Sequence, residues 1–108
     1  MPVLEIRSYV LKPGVRDQFH QVFEQKVMAQ LADVGIQVVR YGPSLHDDLS
    51  YVLIRAFASM EELQEQEDRF YGSSLWRDGY RAAVLGMIAS YQDVVLELDQ
   101  SVVAALST

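Results

Sequence analysis

The chain contains no cysteine. That removes disulfides, thiolate metal sites and cysteine nucleophiles together. Proline and glycine are scarce, at three and six residues, so each can be read as punctuation between elements. Basic residues are also few: 9 Lys and Arg stand against 15 Asp and Glu, for a formal net charge of -6. An acidic chain with scattered cations is a poor partner for nucleic acid or an anionic membrane. No apolar run approaches the roughly 20 residues of a membrane helix. Met1-Pro2-Val3 enters a strand at once, without a basic segment and an apolar stretch. No signal peptide is therefore expected, and the expected location is cytoplasmic. HExxH, an EF-hand loop, GxGxxG, a Gly-rich phosphate loop and G-x-S-x-G are all missing, so no metal, no cofactor and no serine-hydrolase chemistry is expected.

What remains is a sequence of 108 residues, half of them hydrophobic, with a mass of 12.3 kDa and mean hydropathy +0.04. A single domain of this size buries roughly 65% of its unfolded surface, enough for a modest core. The stretch Glu5 to Gly14, E-I-R-S-Y-V-L-K-P-G, organises the rest. Leu4, Ile6, Ser8 and Val10 alternate with Glu5, Arg7, Tyr9 and Leu11, which is the period of a strand. Lys12-Pro13-Gly14 ends it. A helix is predicted over Val15 to Asp33, with Val15, Phe19, Val22, Phe23, Val27, Leu31 and Val34 at three- and four-residue spacing. Strands follow at Ile36 to Tyr41 and Tyr51 to Phe57. Ser59-Met60-Glu61-Glu62 reads as a capping box opening a helix to Tyr71. Gly72 breaks that helix, and Ser73 or Ser74 caps another running to Met87. A last strand covers Ala89 to Leu98. Residues 1–98 form the domain, and 99–108 are left as a weakly apolar tail that frays or docks on a neighbour.

The order β-α-β-β-α-α-β reads as α+β. Short right-handed connections predict a ferredoxin-like, four-stranded antiparallel sheet with the helices on one face. Of the two sheet faces, the aliphatic one (Leu4, Ile6, Val10, Val52, Ile54, Val94, Leu96) is expected under the helices. The other carries Glu5, Arg7, Tyr9, Tyr51, Leu53, Arg55, Phe57 and Asp93. It is too apolar for water, and arginine and tyrosine are enriched at interfaces. The expectation is that two copies close these faces on each other as a homodimer, with Arg7, Tyr9, Tyr51, Arg55 and Phe57 at the interface.

Four features together resemble NIPSNAP-family domains: the opening E-I-R-S-Y-V-L-K-P-G; the Gly35 to Pro43 strand ending R-Y-G-P; Y-V-L-I-R-A-F followed by S-M-E; and F-Y-G-x-x-x-W at Phe70, Tyr71, Gly72 and Trp76. The likeness runs to about Leu98. It implies a dimeric α+β barrel, in a superfamily that also holds cofactor-independent monooxygenases, small isomerases and haem proteins. It carries over no catalytic residue.

Candidate site residues come from chemistry instead. Glu67 lies among Met60, Leu63, Phe70 and Tyr71 on the apolar arc of its helix. A carboxylate there would have a raised pKa and could act as general acid or base. The alternative is a salt bridge to Arg40 or Arg69. His20, four residues before Glu24, and His46, in the polar loop after the second strand, are the other candidate proton carriers. Each is otherwise a surface histidine. Tyr71, Trp76 and Tyr80 are candidate walls for a flat ligand, or else core packing. Arg40, Ser8, Ser90 and Gln92, polar exceptions on the aliphatic face, could line a pocket. Two readings of function stay open: a small-molecule enzyme, either a cofactor-independent oxygenase or an isomerase, and a non-catalytic ligand-binding or interaction scaffold.

Overall fold

Strand β1 (Val3–Leu11) lies inside the sheet, pairing antiparallel with β3 (Ser50–Phe57) on one side and β4 (Ile88–Glu97) on the other. β2 (Gln37–Pro43) pairs with β3, giving the order β2-β3-β1-β4. This ferredoxin-like antiparallel arrangement is the predicted one. The computed structural model describes the whole chain, Met1 to Thr108. No helix is long and apolar enough to cross a membrane.

The first helical rod is α1 (Arg16–Val22), a π-helical turn (Phe23–Val27) and α2 (Met28–Val34). A plain α-helix was expected here, and the buried positions explain the difference. Phe19, Phe23, Val27 and Leu31 all face the core, spaced by strictly four residues. On a 3.6-residue helix that spacing drifts by about 120° over the run. A wider i→i+5 turn takes back the drift. The same device recurs where Trp76, Tyr80 and Val84 are buried: a π-helical turn, Leu75–Tyr80, leads into α4 (Arg81–Met87). Gly35 closes α2 at φ 93°, a left-handed conformation that suits glycine. α3 (Met60–Tyr71) starts on Ser59, whose hydroxyl accepts from the Glu62 amide at 3.1 Å. The return bond from the Glu62 carboxylate does not form. Ser73 caps the next segment, accepting from the Trp76 amide at 3.3 Å while its hydroxyl donates to the Phe70 carbonyl at 2.8 Å.

The two sheet faces are reversed relative to the sequence expectation. Helices α1 to α4 cover the polar-aromatic face over β1 and β3, where Arg55 is 0% exposed, Tyr51 1% and Glu5 2%, with Phe57, Tyr9 and Arg7 also buried. The edge strand β4 stays open on this face too, with Tyr91 54% exposed. A surface already covered by its own helices cannot meet a partner. The interface assigned to Arg7, Tyr9, Tyr51, Arg55 and Phe57 is therefore corrected: these side chains belong to the interior of the single chain. The charges are tolerated because they pair, and buried ion pairs survive where partners and hydrogen bonds are supplied. The aliphatic face is the open one, with Val10 40%, Leu96 44% and Val94 52% exposed. Residues 100–106, read as tail, form a further helix, α5 (Gln100–Leu106). It lies on the open face, where Val103 packs with Leu4, Val39 and Ala56.

Candidate functional site

The sheet register sets up the polar centre of the molecule. Glu5 on β1 stands directly across from Arg55 on β3, and Arg7 across from Asp93 on β4. Arg55 donates to the Glu5 carboxylate through Nε, at 2.8 Å, and through Nη2. Arg7 holds Asp93 with two parallel bonds, 2.6 Å from Nε and 2.8 Å from Nη2, the fork geometry that suits guanidinium and carboxylate. At the end of α3 the Tyr71 hydroxyl accepts from both arginines, at 2.7 Å from Arg7 and 3.2 Å from Arg55. One helical turn earlier, Glu67 points into the same cluster. Its Oε1 lies 3.8 Å from Arg7 and its Oε2 3.4 Å from Arg55.

Glu67 is the unsettled member. Its Oε2 is buried and takes no hydrogen bond. Three carboxylates meet two guanidiniums here, so the cluster is singly negative when all are ionised and neutral when Glu67 holds a proton. Burial, together with the hydrogen bond that the protonated carboxyl shares with Glu5, pushes Glu67 up to about 7, against the pull of Arg55. A carboxyl that titrates near neutral pH can both take and return a proton.

A cleft of about 490 Å³ opens beside this cluster, between β1 and β4 below and α3, the second π-helical turn and α4 above. Arg7, Tyr9, Ile88 and Tyr91 line the sheet side, and Glu67, Tyr71, Trp76, Arg81, Val84 and Leu85 complete the walls from the helices. Tyr9, Tyr71, Trp76 and Val84 separate it from a small apolar cavity of about 20 Å³ deeper in the core. Tyr71 and Trp76 meet edge to face, ring centres 5.6 Å apart at 80°, which fixes both rings as walls. The Arg7 guanidinium also sits 4.9 Å over the Tyr91 ring.

Of the residues expected at a site, Glu67, Tyr71 and Trp76 therefore come together. Tyr80 does not reach the cleft: its hydroxyl donates to Gln30 Oε1, and Gln30 donates on to Ser73, so it braces the helices from behind. Arg40 lies on the opposite side of the sheet and donates to the Thr108 carbonyl. Neither Arg40 nor Arg69 pairs with Glu67; Arg69 meets Glu65 instead. Ser8, Ser90 and Gln92 are exposed on the open face. His46 is exposed in its loop, and its ring has no partner. His20 sits at a separate place near β2, with Nδ1 2.6 Å from the Tyr51 hydroxyl and Nε2 3.1 Å from Glu24, which also accepts from Tyr41 at 3.0 Å. No three acidic or histidine side chains converge to hold a metal ion. Sequence reasoning missed Arg81, which carried no periodic signal. It also gave Arg7 and Asp93 to the wrong environment, although opposite charges facing each other across β1 and β4 would have revealed their pairing once the register was drawn.

The fold has well-matched counterparts. A NIPSNAP domain protein from Burkholderia xenovorans superposes with TM-score 0.81 at 14% identity, covering 91% of this chain and 95% of that one. A NIPSNAP family protein from Agrobacterium tumefaciens gives TM-score 0.80 at 23% identity over 90% of this chain and 87% of that one. A protein from Nitrosomonas europaea described as a "putative antibiotic biosynthesis monooxygenase" gives 0.71 at 13% identity over 92% and 91%. No curated protein matches the sequence. The family model for NIPSNAP matches residues 4–100, nearly the whole chain, so this protein belongs to the NIPSNAP family.

Proposed function

We propose that the protein is a small-molecule enzyme that works without metal or cofactor, binding its substrate in the cleft and exchanging a proton with it through Glu67. The observation that carries this reading is the buried carboxylate oxygen of Glu67, which takes no hydrogen bond although Arg55 lies 3.4 Å away, beside an open cavity. The chemistry is removal of a proton from a carbon made acidic by a neighbouring carbonyl. The electron pair of the C–H bond moves to the carbonyl oxygen as an enolate, and the proton rests on Glu67. Return of that proton to a different carbon is an isomerisation with nothing gained or lost. The Tyr71 hydroxyl, which accepts from Arg7 and Arg55 at the cleft wall, keeps its own O–H free to donate to the enolate oxygen. Trp76 and Tyr71 hold the substrate body.

A second reading is supported by the cavity of about 20 Å³ behind the cleft, walled almost wholly by apolar side chains, and by the likeness to the Nitrosomonas europaea protein. There the same carbanion would give its electrons to molecular oxygen as co-reactant, which is reduced as the carbon is oxidised. His46 and His20 lie away from the cleft and have no part in either reading.

Assembly follows from the open sheet face. Its aliphatic side chains, together with the bare outer edge of β4, suit a second copy packing sheet against sheet. The homodimer proposed here has Ile6, Val10, Ile54, Val94 and Leu96 as its contact residues, in place of the arginines and tyrosines.

The proton-exchange reading is tested by incubating the protein in deuterated water with a panel of carbonyl acids and ketones and following C–H loss by NMR. Exchange that rises with pH through a midpoint near 7 and disappears in Glu67→Gln is the expected result. No exchange with any member, or equal exchange by Glu67→Gln, would favour the binding-scaffold alternative.

A further inference from the structure

Four of the seven arginines lie around or directly behind the cleft, but they divide sharply. Arg7 and Arg55 are buried and saturated by Glu5, Glu67 and Asp93. That cluster carries no net positive charge, so it has none to give a ligand. Arg81 and Arg77 are exposed and make no side-chain hydrogen bond or ion pair. Arg81 lines the cleft with Glu67 and Trp76. It also borders, with Tyr71, an adjoining hollow of about 470 Å³ whose other walls are Arg77 and Asp78. Asp78 forms no ion pair with either arginine, so the rim keeps one uncompensated positive charge. This is unusual in a chain of net charge -6. Between the rim and Glu67 the cleft walls are rings and aliphatic side chains, Trp76, Tyr91, Val84, Leu85 and Ile88.

From this division we infer that the ligand of the cleft is an organic acid with an apolar, ring-sized body, its carboxylate held at the rim by Arg81 with Arg77 and its body lying along Trp76 toward Glu67. The inference rests on the cleft being the binding site proposed above, and it names the substrate class. A guanidinium fork matches a carboxylate and stays charged at every working pH. Apolar walls with a few polar anchors are the usual make-up of a small-molecule site. The arrangement also keeps the two negative groups apart. The ligand's anion sits at the mouth, where solvent and Arg81 compensate it, while the reacting carbon lies inward beside the carboxylate that takes its proton. An acid bound the other way round would set its charge against Glu67.

Trp76 is the only tryptophan and lines the cleft, so its fluorescence reports occupancy directly. The probes are 4-phenylbutyrate, 4-phenylbutan-1-ol and 4-phenylbutylamine, which share one body and differ in charge. At pH 8 the acid is expected to quench Trp76 with an affinity about tenfold or more above the alcohol, the size of one charge-assisted contact. The amine should bind more weakly than the alcohol. Arg77→Ala/Arg81→Ala should bring acid and alcohol to equal affinity with the alcohol unchanged, and Arg77→Glu/Arg81→Glu should reverse the order in favour of the amine. All of these changes are at exposed positions that make no side-chain hydrogen bond or ion pair. Glu67→Gln should keep the preference for the acid even where proton exchange is abolished. Failure of the exchange experiment thus leaves this test standing, and the reverse also holds. Equal binding of acid and alcohol by the unmodified protein, absence of binding by all three probes, or a preference that survives the double alanine variant would each overturn the assignment.

Discussion

On its helix-covered side the sheet carries Glu5, Arg7 and Arg55 among aromatic rings, and on its bare side mainly aliphatic chains, with Ser8, Arg40, Ser90 and Gln92 between them. Hydropathy alone would bury the second and expose the first, yet the protein does the opposite. Charge marks a solvent surface only when it is unpaired. Glu5 with Arg55 and Arg7 with Asp93 satisfy one another across adjacent strands, so the polar face enters the core as a finished network. Its aromatic residues then match those of the first helical rod, with Tyr51 edge-on to Phe19 at 4.9 Å. The aliphatic face has no such internal complement apart from the corner under α5, and it stays bare in the single chain.

The comparison predicts opposite responses to one kind of change on the two sides. Arg55→Met removes a fully buried cation and strands Glu5. Breaking a buried pair in this way costs roughly 3–5 kcal/mol, a large part of a domain's 5–15 kcal/mol of stability. Urea unfolding should register it, and the pair Glu5→Leu/Arg55→Met should recover much of the loss, because then no charge is left alone. A loss below about 1 kcal/mol for Arg55→Met would mean that water reaches the network and the covered face is not dry.

On the bare side Val94→Glu should behave differently. Val94 is 52% exposed in the single chain, so folding stability measured on isolated chains should move by no more than about 0.5 kcal/mol. The effect should fall on assembly. Sedimentation of the unmodified protein should give a particle of twice 12.3 kDa, and the variant should run as a single chain at the same concentration, since an unpaired carboxylate buried between two apolar sheets is strongly disfavoured. A single-chain mass for the unmodified protein would break the comparison outright and leave the aliphatic face without a purpose.

How much of this was legible in the sequence follows from what periodicity can encode. The alternation in β1, the Ser59 cap, the four-residue spacing of Phe19 to Leu31 and the apolar arc holding Glu67 are local patterns, and each led to the right element. Alternation separates two faces but does not say which one the helices cover, because that depends on where the crossovers pass and on which charges meet across strands. Glu5 and Arg55 are fifty positions apart, and only the register shows that they touch. α5 was missed because seven residues carry too little periodicity to stand out, and its anchor, Val103, is buried by contacts with Leu4, Val39 and Ala56 from three separate strands. Arg81 was missed for a related reason: an exposed arginine on a helix has no signature until a cavity forms beneath it.

The smallest effect separates Glu67 from its settled neighbours. Its carboxyl titrates near 7 in the folded protein against 4.5 in an unconstrained chain. Below pH 4.5 both states hold the proton and the group adds nothing to the pH dependence. Between 4.5 and 7 the unfolded chain releases its proton while the folded one keeps it, so stability falls as pH rises. Above 7 both are ionised and the full disadvantage remains, at most roughly 3 kcal/mol. Glu67→Gln is neutral at every pH and escapes this slope. Near pH 5 its melting temperature should lie close to that of the unmodified protein. At pH 8.5 it should lie higher, by roughly 4 °C for each kcal/mol relieved. Calorimetric scans at the two pH values decide the matter: a variant less stable at pH 8.5 than at pH 5, relative to the parent, would mean that Glu67 stabilises the fold as an anion. It would then join Glu5 and Asp93 as a structural carboxylate, leaving the cleft without its proton carrier.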